Sequence, residues 1–246
     1  MNGHPTDPPR AISRALLDEI GHELRTPLSS VLGHQELLAE GVLGPLDASV
    51  QRAVGRVGVA GRQLAHLIEG ALDLGGWLTG NPPAVISAPV DVPELAEDVA
   101  GYARELATED APWDIESGEL SGAFTTDVRR LERVLVLAST AVGKEAAGPI
   151  RLRISLAHGA GGGALRAEWQ GPAGRWLWLP EASGDPAQVV AASLDAVASE
   201  EGAGAPGSWL RSAVAALTAT MLGGTMRFRD DPEGGRLEAW IPDLTA

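Results

Sequence analysis

The stretch IGHELRTPLSS, Ile20–Ser30, decides how the chain is read. It sets a histidine, a glutamate, an arginine and a threonine among apolar residues that return at steps of three, four or seven: Leu17, Ile20, Leu24, Leu28, Val31 and Leu38. That spacing is one apolar stripe of a long amphipathic helix. Upstream, Asp7 followed by Pro8 and Pro9 offers a capping side chain and prolines suited to a first turn, so the helix is predicted to start there. Pro27 removes one backbone bond to the preceding turn and predicts a kink. His22 stands about 200° round the helix from both Ile20 and Leu24, pointing away from the stripe and toward water.

Working outward, EGVLGPLD (Glu40–Asp47) is a turn rich in glycine and proline. A second helix follows, with Val50, Val54, Val57, Gly61, Leu64, Ile68 and Ala71 alternating steps of four and three like a coiled-coil seam. Gly55, Gly58 and Gly61 each cost about 1 kcal/mol relative to alanine, and let a neighbouring helix come close. Two antiparallel helices cannot bury both faces alone, so a homodimer forming a four-helix bundle is expected. GGWLTGNPPAVISAP (Gly75–Pro89) reads as a linker by composition.

Beyond it the pattern is mixed. Val92–Leu106, Asp127–Val142 and Ser208–Leu222 read as helices, the last ended by Gly223 and Gly224. IRLRISL, ALRAEW, TMRFR and RLEAWI alternate as strands. The expected fold is an antiparallel two-helix hairpin forming a dimeric bundle, then an α+β sandwich with helices on one face of a mixed or antiparallel sheet. The corresponding division is 9–78 for the hairpin, 79–89 for the linker and 90–246 for the sandwich.

The formal net charge of −14 argues against nonspecific nucleic-acid binding and against an anionic membrane surface. With no cysteine, thiolate metal sites, disulfides and cysteine nucleophiles are excluded. No apolar run reaches the roughly 18 residues that span a bilayer. The expectation is a cytoplasmic chain with no attached sensor module.

The chemistry suggested by the opening stretch is nucleophilic. Imidazole is the side chain that offers a neutral nitrogen nucleophile near pH 7. Glu23 is placed to hold a ring proton, Arg25 to balance phosphate charge, and Thr26, one turn on, to reach a group bound to His22. His34 and His66 read as ordinary surface or seam-edge residues.

HELRTPLSSVLGHQELL resembles the phosphoacceptor box of sensor histidine kinases, and the turn and seam helix after it resemble the rest of their dimerisation and phosphotransfer domain. The resemblance implies that His22 is phosphorylated, that Glu23 assists transfer, and that Thr26 positions water when a partner is dephosphorylated. The second half resembles the ATP-binding domain of those kinases: APVDVPELAEDVAGYARELA is similar to its entry segment and TTDVRRLERVLVLASTAVGKEA to its asparagine-box helix. The chemical positions differ, however. Leu137 and Ala141 stand where asparagines are expected, with Lys144 matching the family lysine. EWQGPAG replaces the D-x-G-x-G box, with Trp169 in place of the aspartate. GSWLRS puts Trp209 and Arg211 where glycines belong. A literal G-x-G-x-x-G at Gly202–Gly207 has no strand before it and reads as a loop. Trp209, Arg211 and the pair Trp176 and Trp178 are expected to fill or cap the vacated pocket.

The expected function is therefore a histidine phosphotransferase that shuttles a phosphoryl group between receiver-domain aspartates through His22. No cofactor is expected in this chain; Mg²⁺ is expected on the partner receiver. The alternatives are a pseudokinase acting as a receiver phosphatase or scaffold, and an active kinase with an unusual nucleotide pocket.

Overall fold

A computed structural model describes residues 14–78, 80–146, 148–159, 162–172, 188–189, 208–231 and 234–245. The predicted start at Asp7–Pro9, the Gly202–Gly207 loop and the Trp176–Trp178 pair lie outside them.

Helix α1 spans Arg14–Ala39 and continues through Pro27. The chain reverses at Gly41 and Gly44, both at positive φ, where a side chain would be strained. Asp47 then opens α2 (Ala48–Leu78), accepting hydrogen bonds from the backbone N–H groups of Ser49 at 2.8 Å and Val50 at 2.9 Å. The Ser49 hydroxyl and these amides hold the Asp47 carboxyl below its ordinary pKa. The composition-based linker thus begins too early: Gly75 and Gly76 are helical, because packing of the helix end outweighs their weak propensity.

The seam glycines act unequally. A Cβ on Gly58 would strike the Gln35 amide and one on Gly61 would strike Leu32, so these two allow α1 to approach α2; Gly55 faces open space.

The second half is a two-layer sandwich. Helices α3 (Val92–Leu106), α4 (Val128–Glu145) and α5 (Ser208–Met221) cover one face of a five-stranded sheet. The strands are β2 (Trp113–Ser117), β4 (Ile150–Gly159), β5 (Gly162–Gly171), β6 (Thr225–Asp231) and β7 (Gly234–Pro242), in the order β2-β4-β5-β7-β6. Only β2 and β4 run parallel, so the sheet is mixed. A separate pair joins β1 (Ala88–Pro89) to β3 (Thr125–Thr126). The sequence reading missed β1, β2 and β3, which are short and lack sustained alternation.

The core lies between sheet and helices. Leu152, Ile154, Leu165, Trp169, Leu237 and Ile241 meet Leu131, Leu135, Leu137 and Val99, all at most 2% exposed. Outward positions of the sheet carry charge: Arg166 pairs with Glu238 at 2.8 Å and with Glu168 at 3.0 Å. Helix α5 ends at Gly223, φ +73°, with the Gly224 N–H donating to the Ala219 carbonyl at 2.8 Å.

The hairpin and sandwich are packed together. A Cβ on Gly70 of α2 would collide with Val214 of α5. Beside that contact, Arg133 of α4 donates to Asp73 at 2.6 Å and Glu69 at 2.8 Å, and Arg130 reaches Asp73 at 3.3 Å. Arg130 also donates to Asp127 and to the Ala84 carbonyl, both at 2.8 Å, while Asp127 accepts from the Ile86 N–H at 3.1 Å. One charged cluster therefore holds α2, the connecting segment and the head of α4.

Candidate functional site

His22 lies in the middle of α1, exposed. Its neighbour Gly21 is buried against Leu72 of α2, where a Cβ would collide with the leucine side chain. Because successive helical residues are about 100° apart, burying position 21 against α2 carries position 22 off that interface. The requirement for a small residue at 21 therefore fixes where the imidazole emerges.

Glu23, Arg25 and Thr26 are exposed on the same helix. Among the described residues no hydrogen bond or ion pair joins the His22 ring to Glu23, which sits about 100° round the helix. The Thr26 hydroxyl donates to the His22 backbone carbonyl at 3.1 Å. It sits one turn from His22, and its hydroxyl is engaged with the helix itself. What the elements bring together is a single exposed imidazole flanked by one carboxylate, one guanidinium and one hydroxyl.

The second cluster sits under α4. Trp169 of β5 is fully buried, and its indole N–H donates to the Ser139 hydroxyl at 3.0 Å. Leu137 is fully buried in the core and Ala141 is 2% exposed. Glu168, one position along β5, faces the other side of the sheet, where it pairs with Arg166 and with Arg236 at 3.3 Å. Leu137, Ala141 and Trp169 thus offer no oxygen ligand for a cation, and the indole occupies the space under the helix. Among the described residues, the side chains at these three positions are not of the hard-oxygen kind that holds magnesium.

Lys144 and Arg211 lie near each other. Partial burial lowers the pKa of the Lys144 ammonium, and the Arg211 guanidinium lowers it further. Burial likewise lowers Arg211, partly offset by Tyr102. The Tyr102 hydroxyl is 2.7 Å from Thr140 Oγ1, and burial pushes its pKa up. Trp209 stands in the first turn of α5, and its side chain lies outside the described residues.

Sequence reasoning missed three groups. Ser139 is legible only once β5 is laid against α4. The Glu69 and Asp73 pair on α2, with Arg130 and Arg133 on α4, carried a signal in helical spacing of three and four, but nothing in sequence matches the two helices. His66, read as a surface or seam-edge residue, is 8% exposed at this junction, with Nε2 3.7 Å from Glu132. A sandwich docked on α2 buries it.

Residues 13–75 match the family model of the His Kinase A (phospho-acceptor) domain. The chain is 30% identical over 122 residues to the probable sensor histidine kinase TcrY of Mycobacterium tuberculosis, covering 50% of this chain and 25% of that one. It is 29% identical over 143 residues to the circadian input-output histidine kinase CikA of Synechococcus elongatus, covering 56% of this chain and 19% of the other. The chain thus spans a quarter or less of these relatives. Among solved structures, full-length ShkA in complex with AMPPNP superposes with TM-score 0.55 at 21% identity, over 95% of this chain and 47% of that chain. The Acinetobacter baumannii histidine kinase AdeS superposes with TM-score 0.50 at 19% identity, over 91% and 98%. The architecture is of the histidine-kinase type: a helical hairpin followed by a helix-and-mixed-sheet domain.

Proposed function

We propose that this chain, whose residues 13–75 match the His Kinase A (phospho-acceptor) domain, works in two-component signalling as a histidine phosphotransferase that takes its phosphoryl group from a receiver-domain aspartate and not from ATP. The observation that carries the reading is Trp169. A fully buried indole bonded to Ser139 stands where the family resemblance expects the carboxylate that reads adenine. Reopening that space for a nucleotide would require expelling a core side chain, and removing a large aromatic from a core costs about 3–5 kcal/mol.

In the transfer step, an unprotonated ring nitrogen of His22 attacks phosphorus. The N–P bond forms as the P–O bond to the receiver aspartate breaks, and the aspartate leaves as carboxylate. The proton on the other ring nitrogen passes to Glu23 or water, and Arg25 balances phosphoryl charge. The reverse sequence loads a second receiver. Both ends are high-energy phosphoryl species, so the demand on the protein is positioning and charge compensation. Mg²⁺ belongs to the receiver in this scheme.

An exposed apolar face supports pairing with a second copy. Ile20, Leu24 and Val31 of α1, with Val50, Val57 and Leu64 of α2, are each 41–49% exposed. A second hairpin would cover them and complete a four-helix bundle.

The test mixes the purified chain with a receiver carrying labelled phosphoaspartate. Label is expected on this chain and absent from His22→Ala. Loss of receiver label without labelled chain would support the phosphatase reading. Labelling of His22 from Mg·ATP alone would refute the proposal.

A further inference from the structure

Two open cavities of about 440 and 410 Å³ adjoin each other along the seam where the first half of α2 faces the ends of α3 and α4. They share Arg56, Glu105 and Ala107 and run from Ala48 to Lys144. The stretch of α2 involved, Ala48 to Gln63, is about 22 Å long at helical rise. Arg52, Arg56 and Arg104 line this trough with Lys144 at its end, all exposed.

None of these four side chains has an ion-pair partner among the described residues. The single carboxylate in the lining, Glu105, is engaged by Arg62 at 2.8 Å. In a chain with 33 acidic and 19 basic residues, four uncompensated cations along one trough are a strong local reversal of sign. Partial burial, and then the neighbouring Arg211 guanidinium, lower the pKa of Lys144. By contrast, the cations at the α2–α4 junction are each paired at 2.6–3.3 Å.

We infer that this trough is a docking surface for an acidic segment of a partner polypeptide. Guanidinium groups spaced along one helix and the facing helix end match carboxylates presented in a row, each able to take a two-point contact. The trough is open and long, whereas small-molecule sites enclose most of their ligand, which favours a polypeptide over a small phosphorylated molecule. It is also separate from the apolar face assigned to the second copy, so both can be occupied at once. The inference does not depend on phosphorylation of His22.

The test uses the full chain and a fluorescein-labelled peptide of about ten glutamates, read by anisotropy. Binding is expected to weaken at least about tenfold between about 50 and about 200 mM salt, as exposed charge contacts do. Arg56→Glu and Lys144→Glu are each expected to weaken it about fivefold or more, since rim charges govern such association. Arg153→Glu, on the outer face of the sheet, and His22→Ala are expected to leave it unchanged. Absence of binding would overturn the inference, as would equal weakening by Arg153→Glu. Displacement of the peptide by inorganic tripolyphosphate at lower concentration than unlabelled peptide would also overturn it, assigning the trough to small anions. Circular dichroism of each variant separates lost binding from lost fold.

Discussion

Replacing Arg133 with methionine isolates the charged cluster that joins the two halves of the molecule. The arginine side chain is 4% exposed, and methionine keeps its apolar stem while removing the charge. Asp73, 15% exposed, would keep only Arg130 at 3.3 Å; Glu69, 28% exposed, would lose its 2.8 Å partner. Removing one member of a buried ion pair costs about 3–5 kcal/mol, because the other charge stays desolvated. Since Asp73 retains a partner and water reaches Glu69, the lower end applies: about 3 kcal/mol, or roughly a hundredfold in the opening equilibrium. The assay is native-state hydrogen exchange of α2 amides around Gly70, with urea unfolding alongside. Adding Asp73→Leu should recover part of the loss, with a coupling above about 1 kcal/mol in the double-mutant cycle. A change under about 0.5 kcal/mol for Arg133→Met, or additivity in the cycle, would refute the view that these pairs hold the sandwich on the hairpin.

Trp169→Ala should destabilise the sandwich by about 3–5 kcal/mol in urea unfolding; a near-neutral result would mean the indole is not core packing. Gly70→Leu should push Val214 away and speed exchange at the α2–α5 contact, while Gly55→Ala, in open space, should raise stability by up to about 1 kcal/mol. Acid should weaken the α2–α4 junction through Glu132. Its bond with His66 is the largest cause holding its carboxyl below the ordinary range, although the 3.7 Å separation is that of a loose ion pair and the side chain is 42% exposed. A depressed carboxylate stabilises above its unfolded value, about 4.3, and loses that contribution as pH falls through the folded value. His66→Ala should therefore flatten part of the stability loss below about pH 4.5 in thermal unfolding, and an unchanged acid limb would count against the contact.

The helices were legible because their evidence is local. Apolar residues at helical spacing mark α1 and α2 whatever they pack on, while the caps of α3 and α4 came from the structure, where Asp91 and Asp127 accept from the Glu94 and Arg130 N–H groups at 3.0 and 3.2 Å. The exposure of His22 follows from the same geometry. Strand β2 was not legible, since five residues paired in parallel to β4 carry little periodic signal of their own.

By itself the sequence determined the hairpin, the position of the imidazole on it and the lack of a side-chain oxygen at Leu137, Ala141 and Trp169. The tertiary structure alone decided that Trp169 meets Ser139, that His66 is buried, that Gly70 marks the approach of α5, and that Arg130 and Arg133 close on Asp73 and Glu69. Helical period is set by the backbone and repeats within one turn. Which charged face meets which is set by the rigid-body orientation of two domains, and that depends on every contact in the interface at once.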